Sequence, residues 1–214
     1  MKFKIDLHVH SKYSEDTDSE PEATIQWAIE RGMNGLVFTE HYFYGVSEPV
    51  EKLKEKYRGR ILILRGVEFS SAEGHCLVFG VDTDNLAMKH APIEDVIRIV
   101  NEAGGVVVPS HPFRPGTGIG DLVLDLPGIA ALEGCNGVNL PDMNTQAIEA
   151  ALTRNIPYTG GSDAHEPLEV GVCFTEFDQN VTKENFIDLL KAGKFQGVDT
   201  RRALRMEPNS FLSR

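Results

Sequence analysis

Short clusters of histidine and acid stand at the ends of apolar, strand-like runs along this sequence. That placement restricts the chain to folds that gather strand ends around one point. Six of its seven histidines belong to five such clusters: Asp6-Leu7-His8-Val9-His10, Glu40-His41, Glu68 with His75, Ser110-His111-Pro112 and Asp163-Ala164-His165. On a strand, side chains two apart share a face, so His8 and His10, or Asp163 and His165, can grip one ion. Imidazole and carboxylate together suit zinc, manganese, iron or nickel, and no matching cysteine set signals a structural zinc knot. A lone buried histidine is ordinarily a satisfied polar group. Buried imidazoles and acids at this density need cations to compensate them, which points to a polynuclear metal site. His90, in Met88-Lys89-His90-Ala91-Pro92, stands apart and reads as a solvated residue ahead of a helix.

Between the clusters, apolar strand-like runs alternate with amphipathic helix-like runs. The pattern predicts strands at 3–9, 35–39, 61–64 continuing through 67–69, 75–80, 106–108, 129–132, 156–159 and 172–175. The run at 75–80 follows the previous one closely enough to pair with it as a hairpin. Helices are predicted from a capping box at Ser19-Glu20-Pro21-Glu22 to Gly32, from Ser47-Glu48-Pro49, from Pro92 to Gly104-Gly105, at 144–154 and at 183–192. Regular alternation implies parallel strands joined by crossovers. Every cluster falls at or just past the C-terminal end of a strand, where a β/α barrel keeps its active site. The expectation is a single α/β domain over 1–214, a small and irregular barrel of roughly seven units.

Composition narrows the functional classes. No apolar run approaches the length of a membrane span, and no basic segment followed by an apolar one opens the chain. Cys76, Cys135 and Cys173 are odd in number and widely spaced, which reads as buried thiols in a reducing cytoplasm. The Asn180-Val181-Thr182 sequon is then a chance match. A net charge of −11 argues against anionic membranes and long duplex nucleic acid as partners. It leaves room for a small anionic substrate, because divalent ions can make a pocket locally positive inside an acidic protein. The glycine-rich run 114–120 lacks the Gly-Lys-Ser/Thr ending of a phosphate loop and reads as a flexible rim loop, compatible with a lid.

The clusters resemble, in order, the motifs of the PHP superfamily, named for polymerase and histidinol phosphatase. Asp-Leu-His-Val-His-Ser at 6–11 is similar to its first motif, Thr39-Glu40-His41 to its second and Gly66-Val67-Glu68 to its third. Ser110-His111-Pro112 and Gly161-Ser162-Asp163-Ala164-His165 resemble its last two, so the resemblance runs across nearly the whole chain. It implies a distorted (β/α)7 barrel, two or three divalent transition-metal ions (zinc, manganese or iron) and hydrolysis of phosphoesters. By position, His8, His10, Glu68 and Asp163 would hold one ion. Glu68 would bridge to a second, completed by His75 and His111, and His41 with His165 would hold a third. Some members carry another histidine eight residues after the first of the His-X-His pair. Here Asp16 stands at that position, taken as the ninth ligand, with neighbouring Glu15 the alternative. An oxygen ligand there favours manganese or iron over zinc.

Two ions about 3.5–4 Å apart can bind one water as the hydroxide nucleophile and clamp phosphate oxygens during in-line displacement. Glu68, Asp163 and His111 are the catalytic candidates, Glu68 as the bridge and the other two for proton transfer, but a metal-bound histidine is a poor acid, so no general base is assigned beyond the metal hydroxide. Arg114, three residues after His111, is the candidate for a bidentate contact to substrate phosphate, with Arg201, Arg202 and Lys12 as alternatives. The expected substrate is a small phosphorylated molecule or short nucleotide, mono- or diester. Two rivals are an amidohydrolase-like metal hydrolase and a non-catalytic PHP module that binds a partner. The first commonly bridges its metals with a modified lysine, where this chain has Glu68. The second often loses ligands, and here nearly all positions are filled.

Overall fold

The structure, a computed structural model, describes residues 2–86, 88 and 91–203, the side chains of 202 and 203 excepted. Nine strands, β1 (Phe3–Val9), β2 (Gly35–Phe38), β3 (Leu62–Ser70), β4 (His75–Phe79), β5 (Val106–Pro109), β6 (Leu132–Asn136), β7 (Tyr158–Gly161), β8 (Cys173–Phe177) and β9 (Phe195–Asp199), alternate with helices. The helices are α1 (Pro21–Glu30), α2 (Glu51–Lys56), α3 (Ile93–Glu102), α4 (Pro141–Thr153), α5 (Phe186–Ala192) and α6 (Thr200–Ala203). Seven strands form one curled sheet in the order β5-β4-β3-β2-β1-β8-β9, and β6 and β7 pair separately. The separate pair closes the curl. Asp163 N donates to His8 O at 2.7 Å and His10 N to Ala164 O at 2.9 Å, which fastens the end of β7 to β1; Ala130 N donates to Val107 O at 3.0 Å, which fastens the approach to β6 onto β5. The outcome is a distorted β/α barrel, as expected.

The strands are not all parallel, as simple alternation implied. β1, β2 and β3 run parallel, but β4 is antiparallel to both β3 and β5, and β8 is antiparallel to both β1 and β9. Only residues 71–74 separate β3 from β4, which admits a hairpin and excludes the crossover that a parallel pair needs. β6 also begins later than predicted, at Leu132, and includes Glu133 and Gly134, which the apolar pattern at 129–132 did not mark. The capping box does not form. Glu20 caps α1 without a side-chain bond, while Ser19 pairs its hydroxyl with Thr24 at 3.1 Å. His90 lies outside the described residues.

Apolar side chains fill the lower barrel. Ile5, Leu7, Val37, Leu64, Leu77 and Val108 form one buried cluster, plugged from below by Phe186, Leu189 and Leu190 of α5. Val9, by contrast, packs with Leu36, Phe38 and Ile25 between the sheet and α1. The switch comes from a register shift in the β1–β2 ladder between Asp6 and Val9. One extra residue there turns the strand over, so Leu7 belongs to the interior cluster while His8 and His10 project into the mouth above it. Asp6 consequently leaves the histidine face that strict alternation would give it.

β7 approaches its neighbours so closely that glycine is required. A Cβ at Gly160 would run into the carbonyl of Phe174 on β8, and one at Gly161 into the backbone and Cβ of His8. Gly160→Ala is expected to cost about 1–3 kcal/mol through forced separation of β7 and β8, each kcal/mol lowering Tm by roughly 2–4 °C at this chain size. Thermal unfolding by circular dichroism measures the effect, and an unchanged Tm would contradict the tight packing.

Candidate metal centre

Glu68 stands at the centre of the mouth, buried, with its two oxygens facing different imidazoles. Oε1 is 2.7 Å from His111 Nε2 and 3.3 Å from His75 Nδ1. Oε2 is 3.3 Å from His8 Nε2, 3.4 Å from His10 Nε2 and 3.5 Å from His41 Nδ1. Asp163 Oδ1 approaches the same His8 and His10 nitrogens at 3.4 and 3.3 Å. Farther out, Asp16 Oδ2 is 3.0 Å from both His41 Nε2 and His165 Nε2. All nine residues expected as ligands therefore converge, and it is Asp16, not Glu15, that meets the imidazoles.

Three sets have ligand atoms mutually within 4.8 Å: His8, His10, Glu68 and Asp163; His41, Glu68 and His75; and His10, Asp16, His41 and His165. The first matches the expected grouping. In the second, His41 stands where His111 was expected, because β2 and β3 run parallel and a backbone bridge sets His41 beside Glu68. His111 meets Glu68 from the opposite side. In the third, His10 joins the expected residues.

The electrostatics of this cluster call for cations. Burial opposes a proton on His8, but Asp163, Glu68 and Glu133 override it and raise the imidazole well above its ordinary value. Burial likewise opposes a proton on His10, which Asp163 and Glu68 nevertheless push up to about 9. Desolvation works to raise Glu68 and Asp163, yet the facing histidines hold both carboxyls well below the usual carboxylate range. Carboxylates that retain protons on neighbouring imidazoles would exchange those protons for a divalent ion. His111 turns Nε2 toward Glu68 and leaves Nδ1 buried and without a hydrogen-bond partner among the described residues. The donor set of imidazole and carboxylate fits a transition metal.

An outer set of polar groups orients these side chains, and most of it was not read from the sequence. Glu133, buried on β6, holds His8 Nδ1 at 2.9 Å and so leaves Nε2 facing the cluster. Its other oxygen accepts from His111 N at 2.7 Å and Asn136 Nδ2 at 2.9 Å. Glu40 accepts from the Ser11 amide and from the Ser11 and Ser14 hydroxyls, and Ser14 Oγ lies 3.0 Å from His10 Nδ1. Burial pushes the Glu40 carboxyl up despite these donors. Asp6 accepts from the amides of Ser162, Gly171 and His8 at 2.8, 2.7 and 3.3 Å, tying β1 to the loops after β7; burial pushes its carboxyl up to about 6. His111 and Asp163 adopt φ of 31° and 56°, unusual for non-glycine residues. The Glu133 and His8 contacts to their amides hold both in place. A lone acid just inside a strand after an apolar run was the available signal for Glu133.

Arg114 reaches the cluster. Its Nη2 is 2.8 Å from Asp163 Oδ2 and donates to Asn136 Oδ1 at 2.8 Å, while Nε donates to Asn139 Oδ1 at 2.9 Å. Arg201 is spent on Asp199 and on the carbonyls of Asn136, Gly137 and Asn139, which brace the loop after β6. Lys12 pairs with Glu20 at the surface, and the Arg202 side chain lies outside the described residues. The glycine-rich loop is no free lid. Thr117 O accepts from His75 N at 2.8 Å, and Gly118 and Gly120 donate back to Arg114 and Pro112.

A family profile for the PHP domain matches residues 6–113, and one for the PHP-associated region matches 141–195. The chain belongs to the PHP family. The two matched stretches supply different parts of one barrel, β1 to β5 and α4 to α5. An uncharacterized protein of Methanocaldococcus jannaschii is 27% identical over 134 residues, 58% of this chain and 76% of its own length. Histidinol-phosphatase of Lactococcus lactis subsp. lactis is 30% identical over 117 residues, 49% of this chain but only 42% of the longer enzyme. Among solved structures, PsfC from Pseudomonas syringae superposes with a TM-score of 0.72 at 21% identity, over 95% of this chain and 94% of PsfC. That likeness shows a shared fold, the distorted β/α barrel described above. Among the described residues, no helix is long and apolar enough to cross a membrane.

Glu133→Gln tests the outer set. The amide keeps the volume but cannot accept at both ends, so either His8 or the His111 amide loses its partner. Metal affinity, measured by competition with a chromophoric chelator, is expected to fall about 10- to 100-fold while the fold persists. An affinity equal to that of the parent would remove Glu133 from this role.

Proposed function

We propose that this protein is a metal-dependent phosphoesterase acting on small phosphorylated substrates. The observation that carries the reading is the two-sided environment of Glu68. One oxygen faces His75 and His111, and the other faces His8, His10 and His41, an arrangement suited to a carboxylate shared between two ions. His8, His10 and Asp163 would complete one ion, His41 and His75 with His111 nearby a second, and Asp16 with His165 a third. Divalent ions so held supply Lewis acidity, activating water and neutralising phosphate charge. Zinc, manganese and iron all fit this donor set, and the oxygen of Asp16 favours the harder two at the outer position. The histidinol-phosphatase likeness supports phosphoester chemistry over the amidohydrolase alternative, as does a glutamate at the bridging place.

The protein's own groups would prepare the substrate. Arg114 lies at the edge of the cluster with Nη1 unpartnered among the described residues, and an arriving phosphate would compete with Asp163 for its fork. Its pairing with Asp163 adds a role the sequence did not suggest, since Arg114 also positions a candidate ligand. With His8 fixed by Glu133 and His10 by Ser14 and Glu40, their Nε2 atoms need not reorganise when substrate binds.

Protein purified without chelators is expected to contain more than one equivalent of transition metal and to hydrolyse members of a phosphomonoester and phosphodiester panel. Glu68→Gln is expected to lose metal from two positions at once and to abolish turnover, with folding retained because the apolar barrel bottom is untouched. Wild-type metal content and rate in that variant would refute the bridge.

Arg114→Ala is expected to lower kcat/KM roughly 10- to 100-fold at saturating metal, from loss of a charge-assisted contact worth about 1.5–3 kcal/mol. Arg114→Lys is expected to recover only part of it, since a point charge cannot reproduce the planar fork. Release of Asp163 adds weaker metal binding in the alanine variant, visible as a higher metal requirement. Parent kinetics in both variants at saturating metal would exclude the anchor.

A further inference from the structure

Beside the cluster lies an aromatic-walled cavity that the proposed chemistry does not use. It has a volume of about 300 Å³ and is lined by Tyr42, Phe43, Phe69 and Leu86, with Ser70, Thr83 and Asp84 supplying the polar part of its wall. A void of ~150 Å³ suffices for benzene, so this one accepts a single ring with substituents or a fused pair.

Its position follows from the chain. Tyr42 comes directly after His41, their rings 5.7 Å apart, and Phe69 and Ser70 follow Glu68 on β3. Ser70 is the cross-strand partner of His75, and the His41 and His75 ring centres are 5.7 Å apart, so residues next to two imidazoles of the cluster line the cavity. The backbone is bent to make this wall. Tyr42 sits at φ 69°, in a three-residue turn closed by Phe43 N donating to His41 O at 2.9 Å. The turn leaves Tyr42 and Phe43 59% and 58% exposed, and neither packs in the apolar clusters of the fold. Asp84 secures the far wall by accepting from the amides of Tyr44 and Gly45 at 2.7 and 2.8 Å. Two exposed aromatic rings, held by a strained turn at the edge of a candidate ligand set, form a platform for stacking a planar ring.

We infer that the substrate is a phosphate ester whose leaving group is a planar aromatic ring, seated against Tyr42 and Phe43 while its phosphate meets the His41–Glu68–His75 side of the cluster. This rests on the phosphoesterase reading above for the phosphate end only. The ring end stands on the cavity.

The test uses two probes that are not hydrolysed, methylphosphonate and phenylphosphonate, titrated calorimetrically into protein saturated with Mn²⁺. Phenylphosphonate is expected to bind about tenfold or more tightly than methylphosphonate, from ring burial and stacking. Tyr42→Ala is expected to bring that ratio below about threefold, and Tyr42→Phe to restore it. Phenol alone, followed by ligand-detected NMR on metal-free protein, reports the cavity without the metals. Equal phosphonate affinities together with no phenol binding would overturn the aromatic cavity and leave the phosphoesterase reading standing. Phenol binding that Tyr42→Ala abolishes, with neither phosphonate bound in Mn²⁺, would support the cavity and overturn the metal–phosphate reading. A phenyl-to-methyl ratio unchanged by Tyr42→Ala would show that the ring sits elsewhere and would also overturn the assignment.

Discussion

The arrangement of the mouth depends on one buried carboxylate. Glu68 has five imidazole nitrogens within 3.5 Å. Burying a charge that deeply without compensation costs several kcal/mol, so the surrounding groups must either neutralise it or bring ions to it. The histidines cannot all be protonated together, since His8 and His10 repel each other, as do His10 and His41. Divalent cations would resolve both conflicts. Held there, they would neutralise Glu68 and Asp163 and leave the imidazoles neutral, the state in which they coordinate.

Fixing the imidazoles takes further buried acids, and these make the site expensive for the fold. Glu133, Glu40 and Asp6 are fully buried, each satisfied by donors from other parts of the chain. Together they join β1 to β2, β5, β6 and β7, so the polar network that aims the ligands also stitches the upper barrel. The apolar cluster closed by α5 stabilises the lower half. This division explains why substitutions at the mouth are expected to change metal binding first, and substitutions such as Gly160→Ala to change stability first.

Sequence reading reached the site's members better than their connections. The strand runs that carry His8, His41, Glu68, His75 and His111 were legible because period-two patterns and turn residues are local signals. Asp16 was legible only through its likeness to a family position. The bulge in β1 was not legible, because Leu7 and His8 are set by register against β2 rather than by local pattern. Glu133 went unread for a related reason: a single acid in a short strand has no periodic signature, and its function comes from meeting His8, 125 residues earlier. Arg114 looked like a free anchor because its partners Asn136, Asn139 and Asp163 are distant in sequence. The free lid failed on the same account, since Thr117 is held by His75.

The reversal of β4 is the topological step that completes the centre. In an all-parallel barrel each strand offers the mouth only its C-terminal end, and the next ligand must wait for a helix and another strand. Here β3 turns back after residues 71–74, so β4 begins at the mouth, and His75 is its first residue. Glu68 and His75 come within 3.3 Å of each other with a separation of seven in the chain. The turn can be that tight because Gly74, at φ 155°, lets the backbone of the glycine-rich loop press against it where a Cβ would collide with Thr117 and Gly118. That loop begins beside His111 and carries Arg114. One glycine therefore couples three parts of the site: the hairpin bearing Glu68 and His75, the loop that braces His75, and the arginine that holds Asp163. A side chain at position 74 would collide with the loop at Thr117 and Gly118 and, through it, disturb the other two.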